Sequence, residues 1–180
     1  MAPLRARIYA GTGEIAEEVM IMVGLRKILA ATDLSAMSPE VLKVAVSLAL
    51  RAGAELTVLH VFHTDDYLRV FNETAMPIDD FIARLRADVE GQLPMRPSVL
   101  GIPVRIEIIE SASTPEGILS TMSRIGADMI VMGTHGRTGL RRTFVGSVAE
   151  EVLRNASVPV LVVPERVRSR AGQAAVVQAK

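Results

Sequence analysis

Cysteine is absent from the 180 residues, which excludes a disulfide framework and any zinc site built on thiolates and leaves three histidines for chemistry. Net charge is absent too. Lys+Arg and Asp+Glu balance at 20 each, so the chain lacks the general signature of a polyanion binder, no nucleic-acid partner is expected, and any anion site must be local. No uncharged apolar run approaches the ~20 residues needed to cross a bilayer, because Lys43, Arg51 and Glu55 interrupt the longest one. No signal peptide is legible either: Glu14, Glu17 and Glu18 fall where an apolar segment would be required. These absences predict a soluble, cytoplasmic protein with no membrane partner. What is present is 49% hydrophobic residues in a chain of single-domain length, enough for a full core.

Two periods alternate through the middle of the chain. KILAAT (27–32), ELTVLHVF (55–62), VRIEII (104–109), ADMIVM (127–132) and VPVLVV (158–163) are short apolar runs of strand length. Between them, apolar residues recur at helical spacing, as in Val41, Leu42, Ala45, Leu48 and Ala49, or Ile78, Phe81, Ile82, Leu85, Val89 and Leu93. Ser38 before Pro39 and Thr114 before Pro115 read as N-caps, and Gly53 and Gly126 as left-handed helix ends. Strand and helix in alternation predict an α/β domain, a doubly wound parallel sheet with helices on both faces. Residues 63–77 (HTDDYLRVFNETAMP) read as a long polar connection, residues 1–24 as an N-terminal extension with Met20 or Met22 as an alternative start, and residues 166–180 as a flexible tail.

The chemistry concentrates in GTHGRTGLRRTFVGSVAEE (133–151), which leaves the end of the fourth run. In an open parallel sheet, ligands bind beyond the carboxyl ends of the strands where the strand order reverses. Gly133 and Gly136 let backbone N–H groups approach an anion, and Gly146 with Ser147 opens a helix whose first N–H groups favour negative charge. Phosphate suits such a loop. A Walker loop is excluded, because no Gly-Lys-Ser/Thr occurs anywhere in the chain.

The spacing Gly133-x2-Gly136-x9-Gly146-Ser147 resembles the nucleotide-binding motif of the ATP-binding branch of universal stress proteins. KILAATDLS (27–35), LTVLHVF (56–62) and VPVLVVP (158–164) resemble that family's first, second and last strands, and the likeness spans residues 25–165. The resemblance implies an adenine nucleotide alpha hydrolase-like fold, five strands in the order 3-2-1-4-5, with the reversal between strands one and four. It implies ATP as the ligand, with Mg or Mn as its ion. Carried over by position, Ala31, Thr32 and Asp33 would line the adenosine, with Asp33 accepting from ribose hydroxyls, and Val61 would meet the adenine with its backbone. Met132 and Gly133 would flank the ribose and phosphates, and Gly136, Gly146, Ser147 and Val148 would hold the phosphates. The implied partner is a second copy, a homodimer through the last strand, whose apolar edge needs covering.

Several of these residues carry a plainer reading as well. Ser147-Val148-Ala149-Glu150 fits a capping box worth about 1 kcal/mol, and Asp33 fits an Asx-turn after a strand. His60 and His63 stand near Asp65 and Asp66, but strand geometry puts residues 60 and 63 on opposite faces, so no metal site is expected from them. His135 either contacts phosphate or faces water, and Arg137, Arg141 and Arg142 either reach the ligand or form a solvated face. Gly11-Thr12-Gly13-Glu14-Ile15-Ala16 matches a dinucleotide fingerprint with Asp33 twenty residues beyond Gly13, the basis of a rival NAD-dependent oxidoreductase reading. Glu14 would there repel the pyrophosphate. A third reading is an interaction module with a vestigial nucleotide site. Catalytic residues are not assigned, and the expectation is a nucleotide-dependent regulatory protein in the stress response, at most a slow ATPase.

Overall fold

The computed structural model describes residues 7–8, 24–134 and 146–164. Its frame is β1 (Arg7–Ile8), β2 (Lys27–Thr32), α1 (Ser38–Ala52), β3 (Glu55–Phe62), α2 (Thr64–Thr74), α3 (Ile78–Gln92), β4 (Val104–Glu110), α4 (Thr114–Ile125), β5 (Met129–Gly133), α5 (Ser147–Asn155) and β6 (Val160–Val163). The strands form one parallel sheet in the order β1-β6-β5-β2-β3-β4. Without β1, this is the expected doubly wound order 3-2-1-4-5, and the reversal falls between β2 and β5.

The strands read as continuous apolar runs because both faces are covered. Successive residues still go to opposite sides. Ile28, Ala30, Leu56, Val58, Met129 and Val131 pack with Val41, Leu42, Ala45 and Ala49 of α1 and Val89 of α3. Leu29, Ala31, Leu59, Ile130 and Met132 pack with Ile118 and Met122 of α4 and with Ala149 and Val152 of α5. Gly53 and Gly126 end α1 and α4 with φ of 62° and 64°, a left-handed geometry that glycine takes without a Cβ clash. No described helix is long and apolar enough to cross a membrane.

Four local expectations are corrected. Residues 64–74 form a helix, not an open connection: the Asp66 carboxylate accepts from the His63 N–H (3.2 Å), and Tyr67 packs its ring 5.8 Å from Phe71 and 5.4 Å from Phe81. Ser38 lies inside the first turn of α1 because its hydroxyl is used elsewhere, donating to Asp33 Oδ1 (3.0 Å). At α4 the cap is Ser113, whose Oγ accepts from the Glu116 N–H, and Thr114 is the first helical residue. Finally, the edge of the last strand is not bare: β1 pairs with it in parallel, Arg7 opposite Val160 and Ile8 opposite Leu161.

Candidate functional site

At the reversal point, the carboxyl ends of β5, β2 and β3 stand side by side and open into a cavity of about 380 Å³. That volume lies within the range of small-molecule sites. Ala31, Thr32, Asp33, Val61, Met132, Gly133, Gly146, Ser147 and Val148 all line it. Gly136, assigned from the sequence to the phosphates, lies outside the described residues, as do His135, Arg137, Arg141, Arg142 and the Gly11–Ala16 fingerprint.

Asp33 follows the last residue of β2, and its position is fixed by local chemistry. Its Oδ1 accepts from the Ser35 N–H (3.1 Å) and from the Ser38 hydroxyl (3.0 Å), so the Asx-turn reading of this residue holds. The turn forces Leu34 to a φ of 61°, a left-handed conformation that costs a non-glycine residue about 1 kcal/mol. The Thr32 hydroxyl accepts from the Leu34 N–H (3.2 Å) and the Gln92 amide donates to the Leu34 carbonyl (3.4 Å), which hold the strained residue in place. The second carboxylate oxygen, Oδ2, is buried and has no hydrogen-bond partner among the described residues. Buried acceptors are rarely left in that state, so the turn explains one oxygen of Asp33 and leaves the other for a donor in the cavity.

The end of the cavity expected from the sequence to take phosphate is built from the start of α5. The N-cap is Gly146, which has no side chain to offer, and no side-chain cap is made there. The capping box expected at Ser147 is therefore not formed: Ser147 is the first helical residue, and Glu150 pairs with Arg154 (2.9 Å) instead. The first N–H groups of a helix have no partner within it, and those of Ser147, Val148 and Ala149 have no backbone partner among the described residues, beside the cavity that these residues line. The loop is tied at its root, where the Gly146 N–H donates to the Thr134 carbonyl (2.6 Å) and the Thr134 N–H to the Val163 carbonyl (3.1 Å).

Other lining residues were not assigned from the sequence. His60 is buried in β3, and its Nδ1–H donates to the Thr32 carbonyl (2.9 Å), fixing the backbone just before Asp33. A histidine inside an apolar strand must find such a partner, which was the available signal. His63 and Thr114 meet at the far side of the cavity, Nε2 to Oγ1 at 3.0 Å. Gly117 in α4 lets that helix approach β3: a Cβ there would come within 3.1 Å of both γ-methyls of Val61. Among the described residues, no three His, Asp or Glu side chains come together as a metal set.

The universal stress protein family profile matches residues 24–164, the segment that carries the five long strands. A universal stress protein of Methanocaldococcus jannaschii, MJ0531, is 34% identical over 143 residues, which cover 77% of this chain and 81% of that protein. The universal stress protein YxiE of Bacillus subtilis is 32% identical over 145 residues, 76% of this chain and 97% of that one. Among solved structures, that of MJ0577, a universal stress protein also from M. jannaschii, superposes with a TM-score of 0.65 at 28% identity, covering 80% of this chain and 99% of its own. A universal stress protein solved in complex with cAMP shares the fold alone, at a TM-score of 0.54 and 16% identity. Fold, matched segment and relatives agree: the chain belongs to the universal stress protein family.

Proposed function

We propose that this chain binds ATP in the cavity at the sheet reversal and acts as a nucleotide-dependent regulatory protein in the cytoplasm. The observation that carries the reading is the buried Oδ2 of Asp33, without a partner among the described residues, in a cavity that also holds the start of α5, where no side-chain cap is made. The two features ask for complementary groups. Asp33 Oδ2 is an acceptor and suits a ribose hydroxyl, while the N–H groups of Ser147 and Val148 are donors and suit phosphate oxygens. Ala31, Val61 and Met132 supply apolar surface between and beyond them.

ATP would supply negative charge and ribose donors; the chain's own residues position it. Ser35 and Ser38 hold Asp33, His60 holds the Thr32 backbone, and Gly133 and Gly146 leave space for phosphate near the strand end and the helix start. A divalent ion, magnesium or manganese, would enter bound to the triphosphate. Gly136 would complete the phosphate contacts. The outcome is regulation by occupancy, with any hydrolysis slow, and a homodimer through the last strand would require β1 to leave that edge.

The test is to release the ligand from freshly purified protein and identify it by chromatography, with titration calorimetry on the stripped protein. ATP in the extract and saturable ATP binding support the reading. A dinucleotide in the extract, or a stripped protein that takes up no ATP, overturns it.

A further inference from the structure

The two edges of the sheet are not alike. The outer edge of β6 is met by β1, whereas β4 pairs with β3 on one side and with no strand of the described residues on the other. None of the β4 residues is buried, in contrast to the run of β3 beside it. The ladder fixes which backbone groups face outward. The Pro103 carbonyl accepts from the Leu56 N–H (2.9 Å) and the Ser111 N–H donates to the Phe62 carbonyl (3.1 Å), so the odd-numbered residues bond to β3 and Val104, Ile106 and Ile108 turn their N–H and C=O groups away from it. One of these groups is taken: Arg86 of α3 donates from Nη1 to the Ile106 carbonyl (2.5 Å). An open row of this kind is a template for another strand.

We propose that the outer edge of β4 is a self-association surface, pairing antiparallel with β4 of a second copy about a twofold axis at Ile106, and that Arg86 competes with this pairing for the Ile106 carbonyl. Charge selects both the occupant and the register. A twofold through Arg105 or Glu107 would set like charges directly opposite, which destabilises a sheet. A twofold through Val104 or Ile108 leaves both charges without an opposite sign across the axis. A twofold through Ile106 sets Arg105 of each copy opposite Glu107 of the other. It also brings outward groups to outward groups, Ile106 facing Ile106 and Val104 facing Ile108 of the second copy. The Arg105 side chain is exposed and has no ion-pair partner among the described residues, and Glu107, which accepts from Arg124 of α4 through one carboxylate oxygen, has a second to offer. With β1 on the opposite edge, pairing at β4 closes on two copies instead of extending as a continuous sheet.

The chain has no cysteine, so one introduced thiol per copy reports the register. In the full chain, Ile106→Cys stands opposite itself with Cα atoms about 5.5 Å apart and should give a covalent dimer on mild oxidation. The two copies of Val104→Cys lie roughly 14 Å apart in this register and should not. Arg86→Met keeps the stem and removes the competitor; sedimentation should show dimerisation tightened about tenfold, the scale of one displaced hydrogen bond per copy. Arg105→Glu sets carboxylates opposite one another and should abolish dimerisation, whereas Arg105→Lys should retain it. No covalent dimer from a folded Ile106→Cys, or equal cross-linking at positions 104 and 106, overturns the proposal. So does a dimerisation constant that neither Arg86→Met nor Arg105→Glu moves, a result that does not depend on how Ile106→Cys folds.

Discussion

Replacing Asp33 by Asn isolates one oxygen. The substituted side chain keeps an oxygen where Oδ1 accepts from the Ser35 N–H and the Ser38 hydroxyl, so the turn after β2 and the strained Leu34 survive. Only the group at the position of Oδ2 changes, from a buried acceptor without a partner among the described residues to an amide N–H₂. A hydrogen bond to a charged acceptor contributes about 1.5–3 kcal/mol, so ATP affinity should fall by about 10- to 150-fold. Folding stability should barely move. The change removes a buried charge with an unsatisfied oxygen, which favours the folded state, and gives up an anion near the start of α1, worth about 0.3–1 kcal/mol in the other direction. Calorimetry gives the binding term and thermal denaturation of the empty protein gives the stability term. A third measurement sharpens the case: 2′,3′-dideoxy ATP lacks the ribose hydroxyls, so wild type and Asp33→Asn should bind it alike. Wild-type affinity of Asp33→Asn for ATP, or an equal loss for the dideoxy nucleotide, would refute the role given to Oδ2.

Three more outcomes are expected. Gly117→Ala places a Cβ 3.1 Å from both γ-methyls of Val61 and 3.3 Å from Ile109 Cδ1; overpacking of this kind costs about 1–3 kcal/mol and should appear as a lowered melting temperature together with weaker ATP binding, as Val61 lines the cavity. Gly146→Val puts a branched side chain at the uncapped start of α5, where phosphate needs the space, and should remove ATP binding in calorimetry with the circular dichroism spectrum unchanged. Ile8→Pro removes an N–H from the edge strand β1 and should release the β6 edge, seen as a higher dimer fraction in sedimentation; the same mass distribution as wild type would show that β1 does not control that edge.

The fold was legible because its signals are local and repeated. Apolar runs such as KILAAT and ELTVLHVF have strand length, and Gly53 and Gly126 carry the left-handed backbone that ends each preceding helix, so the alternation needs no tertiary knowledge. The residues that line the cavity were legible through spacing, since Gly133, Gly146 and Asp33 occupy positions whose backbone chemistry is recognisable one at a time. Capping was less legible because a hydroxyl goes to the stronger competitor. Ser38 is drawn to Asp33 and Thr114 to His63, partners five and fifty-one residues away, and neither competition can be seen from the neighbouring Pro39 or Pro115. The helix at 64–74 was hidden for a similar reason: its polar, acidic start reads as a loop until Tyr67 packs against Phe71 and against Phe81 on the next helix.

Thr134 gives the proposed regulation a physical form. Its carbonyl accepts from the Gly146 N–H at the mouth of the proposed phosphate site, and its N–H donates to the carbonyl of Val163 at the end of β6. One residue thus joins the start of α5 to the strand whose outer edge β1 covers. If occupancy of the cavity by ATP alters how firmly β6 is held, it alters the competition between β1 and a second copy for that edge, and binding linkage makes the effect reciprocal. Whatever factor ATP imposes on dimerisation, dimerisation must impose on ATP affinity. Ile8→Pro then has a second readout beyond its mass: with β1 displaced, its affinity for ATP should shift from wild type in the direction in which ATP shifts the dimer, tighter if ATP promotes assembly and weaker if it opposes it. Equal ATP affinities alongside different dimer fractions would mean a coupling factor of one. The nucleotide site and the sheet edge would then be independent, and Thr134 only a structural tie.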